Sequence, residues 1–129
     1  MFKKVAFTMY PVADMARARH FYEETLGIKV GKVSMRGAGG WVEYDLPGGG
    51  CFCITTFTKS APSTSGGTIS FEVDDIEHLV GDLKAKGVTF VSEMIQSPVC
   101  RMAVCLDSEG NSLLLHQLKP KEAEASTAG

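Results

Sequence analysis

Apolar and polar residues alternate along eight short stretches of the chain, and each alternation predicts a β-strand with one face in a core. From Thr68 to Val73, for example, every second residue is apolar. Strands bounded by turn-forming residues are predicted over 3–12, 28–34, 41–46, 51–57, 68–73, 88–94, 100–106 and 112–118. The chain is therefore predicted to be rich in short, half-buried strands.

Two other stretches repeat apolar residues every three to four positions, which indicates amphipathic helices. The first begins after Asp14, a good N-cap residue, and ends at Gly27, which suits the left-handed position after a last turn. The second occupies residues 74–87 and also ends in glycine. Its apolar stripe consists of Ile76, Leu79, Val80 and Leu83.

The two halves of the chain repeat each other. VADM at residues 12–15 matches VDDI at 73–76, an offset of 73 − 12 = 61, and the turn residues Gly49 and Gly110 are also 110 − 49 = 61 apart. Each half reads β-α-β-β-β, which predicts an α+β fold built from a duplicated module. We expect one domain over residues 1–118, with repeats at about 1–58 and 68–118, a linker at 59–67 and a disordered tail at 119–129.

Composition and charge exclude several classes of function. The 129 residues carry a formal net charge of −2, so no basic field points to nucleic acid or an anionic membrane. No apolar run approaches the roughly 18 residues that span a bilayer, and the N-terminus lacks the apolar core of a signal peptide. We therefore expect a cytoplasmic protein with no nucleic-acid or membrane partner, and reduced thiols at Cys51, Cys53, Cys100 and Cys105.

Three segments resemble, in order, the motifs of the vicinal oxygen chelate superfamily. They are PVADMARARHFYEETLGIKV at 11–30, FEVDDIEHLVGDLKAKGVTFV at 71–91 and LDSEGNSLLLHQ at 106–117. The third resembles the family's Asp-Pro-Asp-Gly-Asn hairpin, with Ser108 and Glu109 in place of Pro and Asp. The superfamily includes glyoxalase I, extradiol dioxygenases, fosfomycin-resistance enzymes and bleomycin-resistance proteins.

The resemblance implies two βαβββ modules in tandem, whose curved mixed sheet surrounds a groove, and it implies a homodimer. Many members are enzymes that hold a divalent ion through His and Glu side chains and leave positions open for vicinal substrate oxygens. Because one fold hosts many functions, the site positions have to be read one by one.

The positions that carry metal ligands in relatives hold other residues here. The resemblance places the first ligand seven residues before Asp14, at Phe7, and the repeat places its counterpart at Thr68. The remaining two fall at Leu114 and, since 114 − 61 = 53, at Cys53. Phe and Leu offer no donor atom, Thr is a poor ligand, and one Cys is insufficient. We therefore expect no metal and no other cofactor.

Alternation then assigns one side of each strand to the groove, which becomes mostly apolar with a few polar groups. Such a lining suits a small organic ligand. Arg101, where a strand enters the groove wall, would clamp a ligand carboxylate through its fork of N–H groups. The predicted ligand-binding residues are Phe7, Met9, Trp41, Cys53, Thr68, Ser70, Glu72, Arg101, Met102 and Leu114.

His116 and Glu43 are the candidate catalytic residues. His116 would act as a general base or hydrogen-bond a ligand, or else it is an ordinary histidine at the groove rim. A displaced metal site would combine it with Glu43, Glu72 or Cys53. Trp41 beside Glu43 favours a cationic or flat ligand, unless the indole only fills the groove or a dimer interface.

Three functions follow from these residues. The first is a small-molecule binding protein of the glyoxalase/bleomycin-resistance type without the usual metal. The second is a lyase, isomerase or dioxygenase-type enzyme, with a displaced metal site or with metal-free acid–base catalysis through His116. The third is an assembly module whose groove has closed.

Overall fold

The computed structural model describes residues 1, 3, 5–37, 39–58, 61–63 and 66–120. The chain divides into two compact units. Unit 1 comprises residues 1–64 with 107–111, and unit 2 comprises residues 65–106 with 112–129. Each unit contains a four-stranded mixed sheet and one helical region, which confirms the predicted α+β fold of two βαβββ modules.

Unit 1 orders its strands β1-β4-β3-β2, with β1 parallel to β4 and the other neighbours antiparallel. The crossover between the parallel pair contains a helix, as parallel neighbours require. Its elements are β1 at Thr8–Pro11, α1 at Met15–Arg19 with a π-helical continuation at His20–Thr25, β2 at Val33–Arg36, β3 at Gly39–Asp45 and β4 at Cys51–Thr55.

Unit 2 repeats this topology as β5-β8-β7-β6, again with one parallel pair, β5 and β8. Its elements are β5 at Ile69–Glu72, α2 at Ile76–Ala85, β6 at Ile95–Gln96, β7 at Cys100–Leu106 and β8 at Ser112–Leu118. The repeat offset is kept to the residue, because β1 shifted by 61 gives β5 and β3 shifted by 61 gives β7.

The first helical region begins after Asp14 and ends before Gly27 as predicted, whereas α2 begins at Ile76, two residues into the predicted 74–87. Asp14 and Asp75 are the N-caps, and each accepts the backbone N–H three residues further on, at 3.0 and 3.2 Å. Gly27 and Gly87 follow the last turns with φ of +72° and +87°, a conformation that favours glycine. Among the described residues, no helix has both the length and the apolar content to cross a membrane.

The first helical region is one residue longer than the second. From cap to glycine it spans 27 − 14 = 13 residues, against 87 − 75 = 12. At the ends, Ile28 N–H donates to the carbonyl of Tyr22, six residues back, whereas Val88 N–H donates to that of Leu83, five residues back. The extra residue is taken up by the π-helical turns of His20–Thr25, the usual way to insert one residue in a helix.

The core of unit 1 is aromatic and lies between the helix and one sheet face. The ring of Tyr22 lies 4.9 Å from that of Phe52 and 6.0 Å from that of Tyr44, measured between centroids. The hydroxyl of Tyr44 donates to Glu23 at 2.9 Å, and burial raises the pKa of Tyr44. The buried apolar residues are Tyr10, Val12, Met15, Ala18, Phe21, Tyr22, Val42, Tyr44, Phe52, Cys53 and Ile54.

The core of unit 2 is aliphatic. Its helix contributes Ile76 and Leu83, both with no exposed surface. Each such side chain contributes about 1.5 to 3 kcal/mol of transfer free energy. The sheet contributes Phe71, Ala103, Cys105, Leu113 and Leu115. The same topology is therefore filled largely by aromatic rings in unit 1 and, apart from Phe71, by aliphatic and cysteine side chains in unit 2.

The turn at residues 107–111 belongs to unit 1, although it joins two strands of unit 2. The hydroxyl of Tyr22 donates to Asp107 Oδ2 at 2.7 Å, and Asn111 Nδ2 donates to the carbonyl of Pro11 at 2.9 Å. Asp107 Oδ1 also accepts two backbone N–H groups of its own turn, those of Glu109 and Asn111, each at 2.8 Å. These bonds explain why the turn needs carboxylate and amide side chains.

Glu109 in this turn binds the start of the first helix. Its side chain has no exposed surface, and its Oε1 accepts the backbone N–H groups of Ala13 and Asp14, both at 3.0 Å. Arg17 donates to both carboxylate oxygens, at 2.6 and 2.9 Å. These bonds, Arg17 first, lower the pKa of Glu109 to about 2.

Several boundaries differ from the prediction: β1 covers only Thr8–Pro11 of the predicted 3–12, and β2 lies at Val33–Arg36 instead of 28–34. The strand predicted at 88–94 is displaced to Ile95–Gln96, preceded by an isolated bridge between Phe90 and Cys105. The ladder is interrupted because Val104 N–H donates to the Ser92 hydroxyl, at 2.9 Å, instead of to a carbonyl. In the predicted tail, Lys119 N–H donates to the Val99 carbonyl, while residues 121–129, like four residues of the predicted linker, lie outside the described residues.

Candidate functional site

Each sheet has a face that packs on its helix and an opposite face, here called the far face. In unit 1, paired residues of neighbouring strands point to the same side. One row of the far face therefore holds Met9, Cys53 and Glu43, and the next row holds Thr55 and Trp41. The predicted assignment of these side chains to one face agrees with the strand register.

Phe7, Trp41 and Glu43 form a cluster on this face. The ring of Phe7 stands edge-on to the indole, with centroids 5.3 Å apart and an interplanar angle of 86°. The indole Nε1–H donates to Glu43 Oε2 at 2.8 Å, which orients both groups. Phe7 is 48% exposed and Met9 42% exposed. The arrangement offers an aromatic surface beside a carboxylate, which can hold a flat or cationic group.

Two thiols lie beside this cluster. Cys51 and Cys53 are two residues apart on β4, and their sulfur atoms are 3.9 Å apart. Burial raises the pKa of Cys51 and that of Cys53, the latter to about 12. Both therefore remain neutral thiols at physiological pH and are poor nucleophiles. Alternation on the strand had placed both residues on one face, but the sulfur separation required the structure.

In unit 2 the far face carries an acid–imidazole pair. Glu72, His116 and Met102 share one row. His116 Nδ1 lies 2.5 Å from Glu72 Oε1, and Leu118 N–H donates to Glu72 Oε2 at 2.8 Å. The bond from Leu118, and then the imidazole, lowers the pKa of Glu72. The carboxylate thus orients the ring through Nδ1, an arrangement in which Nε2 is the nitrogen left for general-base chemistry.

The next row of unit 2 is mostly apolar. Ser70 pairs with Leu114, and Leu114 pairs with Val104. Thr68 precedes β5 and is exposed, so it lies at the end of this face. The structure therefore brings together the predicted candidates Ser70, Leu114, Glu72, His116 and Met102 on one face.

Arg101 is placed elsewhere. It precedes Met102 on β7, so its side chain leaves the opposite face. There its guanidinium donates to Glu77 of α2 at 2.7 Å. The predicted position of Arg101 in the wall with Met102 therefore differs from the structure, because adjacent strand residues alternate.

The four predicted ligand positions are occupied by Phe7 and Cys53 in unit 1 and by Thr68 and Leu114 in unit 2. Phenyl and isobutyl groups have no donor atoms, and the Cys53 thiol is fully buried. Among the residues that the structure describes, no three His, Cys, Asp or Glu side chains gather closely enough to hold an ion.

A depression of about 410 Å³ lies elsewhere in unit 2, by the end of α2. None of the predicted site residues lines it. Its walls are Lys84, Phe90, Val91, Ser92 and Glu93.

Comparison with known families agrees with the fold. The profile of the Glyoxalase/Bleomycin resistance protein/Dioxygenase superfamily matches residues 4–115. The chain belongs to this superfamily. The match covers both units, in agreement with the three motifs and the duplication. No curated protein matches the chain.

Solved structures of the superfamily share the fold at low sequence identity. TnmS3, an antibiotic binding protein from Streptomyces sp. CB03234, superposes with a TM-score of 0.78 and 24% identity, over 92% of this chain and 98% of that one. The fosfomycin resistance protein FosX from Listeria monocytogenes superposes with a TM-score of 0.76 and 16% identity, over 95% of this chain and 99% of that one. A glyoxalase/bleomycin resistance protein/dioxygenase domain from Frankia sp. EAN1pec superposes with a TM-score of 0.72 and 17% identity, over 92% of this chain and 94% of that one.

Proposed function

We propose that the protein binds a small organic molecule, flat or cationic, on the far face of the unit 1 sheet and without the divalent ion of the superfamily's enzymes. The observation that carries the proposal is the cluster of Phe7, Trp41 and Glu43. Its indole is fixed by Glu43, at 2.8 Å, while Phe7 stays 48% exposed. Exposed apolar surface rimmed by polar groups is typical of an interaction site.

The metal-free part of the proposal is supported by the donor chemistry. Phe7 and Leu114 have no atom that coordinates an ion, and the Cys53 thiol has a pKa of about 12. Elemental analysis of the purified chain tests this directly. Nickel, zinc, iron or manganese at one atom per chain would contradict it.

Three further features of the proposal rest on the family. TnmS3, which shares the fold, is described as an antibiotic binding protein. A bound compound would then be sequestered and not converted. We also propose a homodimer, which light scattering coupled to gel filtration will test, and a cytoplasmic location, where the four free cysteines would stay reduced.

Trp41 makes the binding test direct, because it is the chain's one tryptophan. A library of aromatic cations, neutral aromatics and aromatic anions should contain compounds that change its fluorescence and raise the melting temperature. A ligand at 100 times its Kd adds about 2.7 kcal/mol of stability. If no compound in any class does either, the far face is closed or serves assembly, and the binding proposal fails.

The role of the carboxylate is tested by Glu43→Gln, which keeps an oxygen for the indole and removes the charge. A cationic ligand should bind about 5- to 30-fold more weakly, whereas a neutral one should change little. Glu24→Gln is the matched control, since Glu24 is an exposed acid of the helical region. Equal losses in both variants would contradict a specific role for Glu43.

A second function is favoured by one observation, the bond between His116 and Glu72 at 2.5 Å. An imidazole oriented by a carboxylate can take a proton from a bound substrate without a metal. In that case His116→Gln should abolish turnover, and Glu72→Gln should lower kcat while shifting the pH–rate profile. If turnover survives in His116→Gln, the catalytic proposal is wrong.

A further inference from the structure

The thiol pair of Cys51 and Cys53 is not used by the proposed function. The two cysteines lie on one strand and one face, and their sulfur atoms are 3.9 Å apart. A shared ion requires such a short separation. Two thiolates that bind one ion at about 2.3 Å each lie about 3.8 to 4.0 Å apart, for angles between tetrahedral and trigonal. The two side chains therefore already place their sulfurs at a chelating distance.

We propose that Cys51 and Cys53 form a binding site for a thiophilic monovalent ion, with Cu(I) as the representative. The site shares one position, Cys53, with the four ligand positions of the superfamily's metal enzymes, and Cys51 and Met9 are not among the other three. It does not depend on the small-molecule ligand proposed above.

The donors around the pair are soft. Met9 is the cross-strand partner of Cys53, so its thioether chain leaves the same face. Met9 is 42% exposed and flexible, which lets its sulfur turn toward the pair as a third ligand. Thiolates and thioethers select Cu(I) over hard ions.

The number of donors also favours Cu(I). Structural zinc takes four ligands, and no three His, Cys, Asp or Glu side chains gather in the described residues. An ion that accepts two or three sulfurs needs nothing beyond Cys51, Cys53 and Met9. Cys51 is only partly buried, which gives the ion access from solvent, whereas Cys53 is fully buried.

Two carboxylates complete the surroundings. Glu43 and Asp45 on β3 are the cross-strand partners of Cys53 and Cys51, while β1 presents the uncharged Met9. Burial is the main cause that raises the pKa of each thiol, and both carboxylates raise it further. Their charge attracts a cation, but it also holds the thiol protons, so only an ion with high affinity for sulfur displaces them.

Binding is a proton exchange without redox chemistry. Two S–H bonds break, two S–Cu bonds form, two protons leave to solvent, and copper stays Cu(I) throughout. The affinity should therefore rise by up to about 100-fold per pH unit below the thiol pKa values. Binding at a single thiol would raise the affinity by only about tenfold per pH unit.

The test is an anaerobic titration of the reduced full-length chain with Cu(I), in competition with a chromophoric Cu(I) chelator. We expect one ion per chain, a sulfur-to-copper charge-transfer band and the two-proton pH slope. Cys51→Ser should weaken binding at least 100-fold, since loss of a mere outer partner of a metal ligand already costs about 10- to 100-fold. Met9→Leu should weaken it by about tenfold.

Cys100→Ala is the matched control, because Cys100 is a buried free cysteine of unit 2, and it should keep wild-type affinity. Circular dichroism of each variant separates lost binding from lost folding, and the wild-type pH slope needs no variant. The proposal is overturned if the wild-type chain loses all Cu(I) to the chelator, if the slope is one proton, or if Cys51→Ser binds as tightly. Zn(II) binding of equal strength would also overturn it.

Discussion

The two units have the same backbone and different far faces. Shifting β1 or β3 by 61 residues reproduces β5 or β7 to the residue. Yet the row of Thr55 and Trp41 in unit 1 becomes the row of His116 and Met102 in unit 2. One unit carries an aromatic pair, an acid and two thiols, the other an imidazole–carboxylate pair.

The difference teaches which positions the fold constrains. Backbone hydrogen bonds and the helix-side core require a particular spacing of apolar residues, N-cap residues for the helices and glycines at the turns. These features recur in both halves. Side chains on the far face contribute little to that packing, so they diverge. We therefore expect far-face substitutions to change ligand binding more than stability, except where a side chain bonds to the backbone.

The largest contrast is expected from shortening the two helical regions. Deleting Asp82 from α2 rotates Leu83 out of the core, because each residue turns a helix by about 100°, and should cost about 3 kcal/mol or more. Deleting Glu24 should cost less than about 1 kcal/mol, because it removes the inserted residue and converts the π-helical turns to α-helix. Urea unfolding of both variants measures the difference. Equal costs would mean that the π-helical segment does not arise from an insertion.

The two hairpin turns should also respond differently. Glu109→Gln removes the charge that receives two backbone N–H groups and the Arg17 guanidinium, so we expect a loss of about 1 to 2 kcal/mol. The equivalent position of the first turn, 109 − 61 = 48, is Gly48, whose surroundings are empty. Gly48→Ala should stay within about 0.5 kcal/mol. The midpoints of denaturant unfolding at pH 7 measure the stability lost in each of the two variants.

The pH dependence sharpens this contrast. The pKa of Glu109 is about 2 in the fold, below the roughly 4.3 of an unfolded Glu, so its stabilisation is fully present above that value and is lost as pH falls toward 2. The stability gap between wild type and Glu109→Gln should close over this interval. A gap that is constant from pH 6 to pH 2.5 would exclude the carboxylate as its source, and Gly48→Ala should show no such trend.

The smallest contrast lies on the far faces themselves. Thr55 is fully buried, donates to the Gly40 carbonyl and accepts Phe57 N–H, so Thr55→Val should cost about 1 to 2 kcal/mol. Its counterpart in the repeat is His116, whose partner Glu72 is exposed. Glu72→Gln should cost about 0.5 kcal/mol or less. Thermal denaturation measures both, and a larger loss for Glu72→Gln would mean that the pair serves stability.

Most of the fold could be predicted from the spacing of apolar residues and from the residues that begin and end helices and turns. Asp14 and Gly27 mark the ends of the first helical region by their own backbone chemistry, so they are visible locally. The strand at 88–94 was misplaced because the interruption comes from Ser92, which bonds to a distant strand. Likewise, no local signal distinguishes an α-helix with an inserted residue from an ordinary one.

The candidate site was predictable only as a set of residues on faces. Alternation placed Trp41, Glu43 and Cys53 together, because residues two apart on a strand share a side. It could not show that Glu43 accepts the indole N–H, that Glu72 orients His116, or that Arg101 turns to Glu77. Those are contacts between side chains on separate strands or on a strand and a helix.

By itself, the sequence determined the duplicated βαβββ topology, the caps and turns, and the absence of donor atoms at Phe7 and Leu114. These follow from short-range sterics, hydrophobic period and side-chain chemistry. The tertiary structure alone decided the 3.9 Å separation of two thiols, the burial of Glu109 against the first helix, and the pairing of His116 with Glu72. Distances and burial depend on which strands become neighbours, and that is settled only when the whole chain packs.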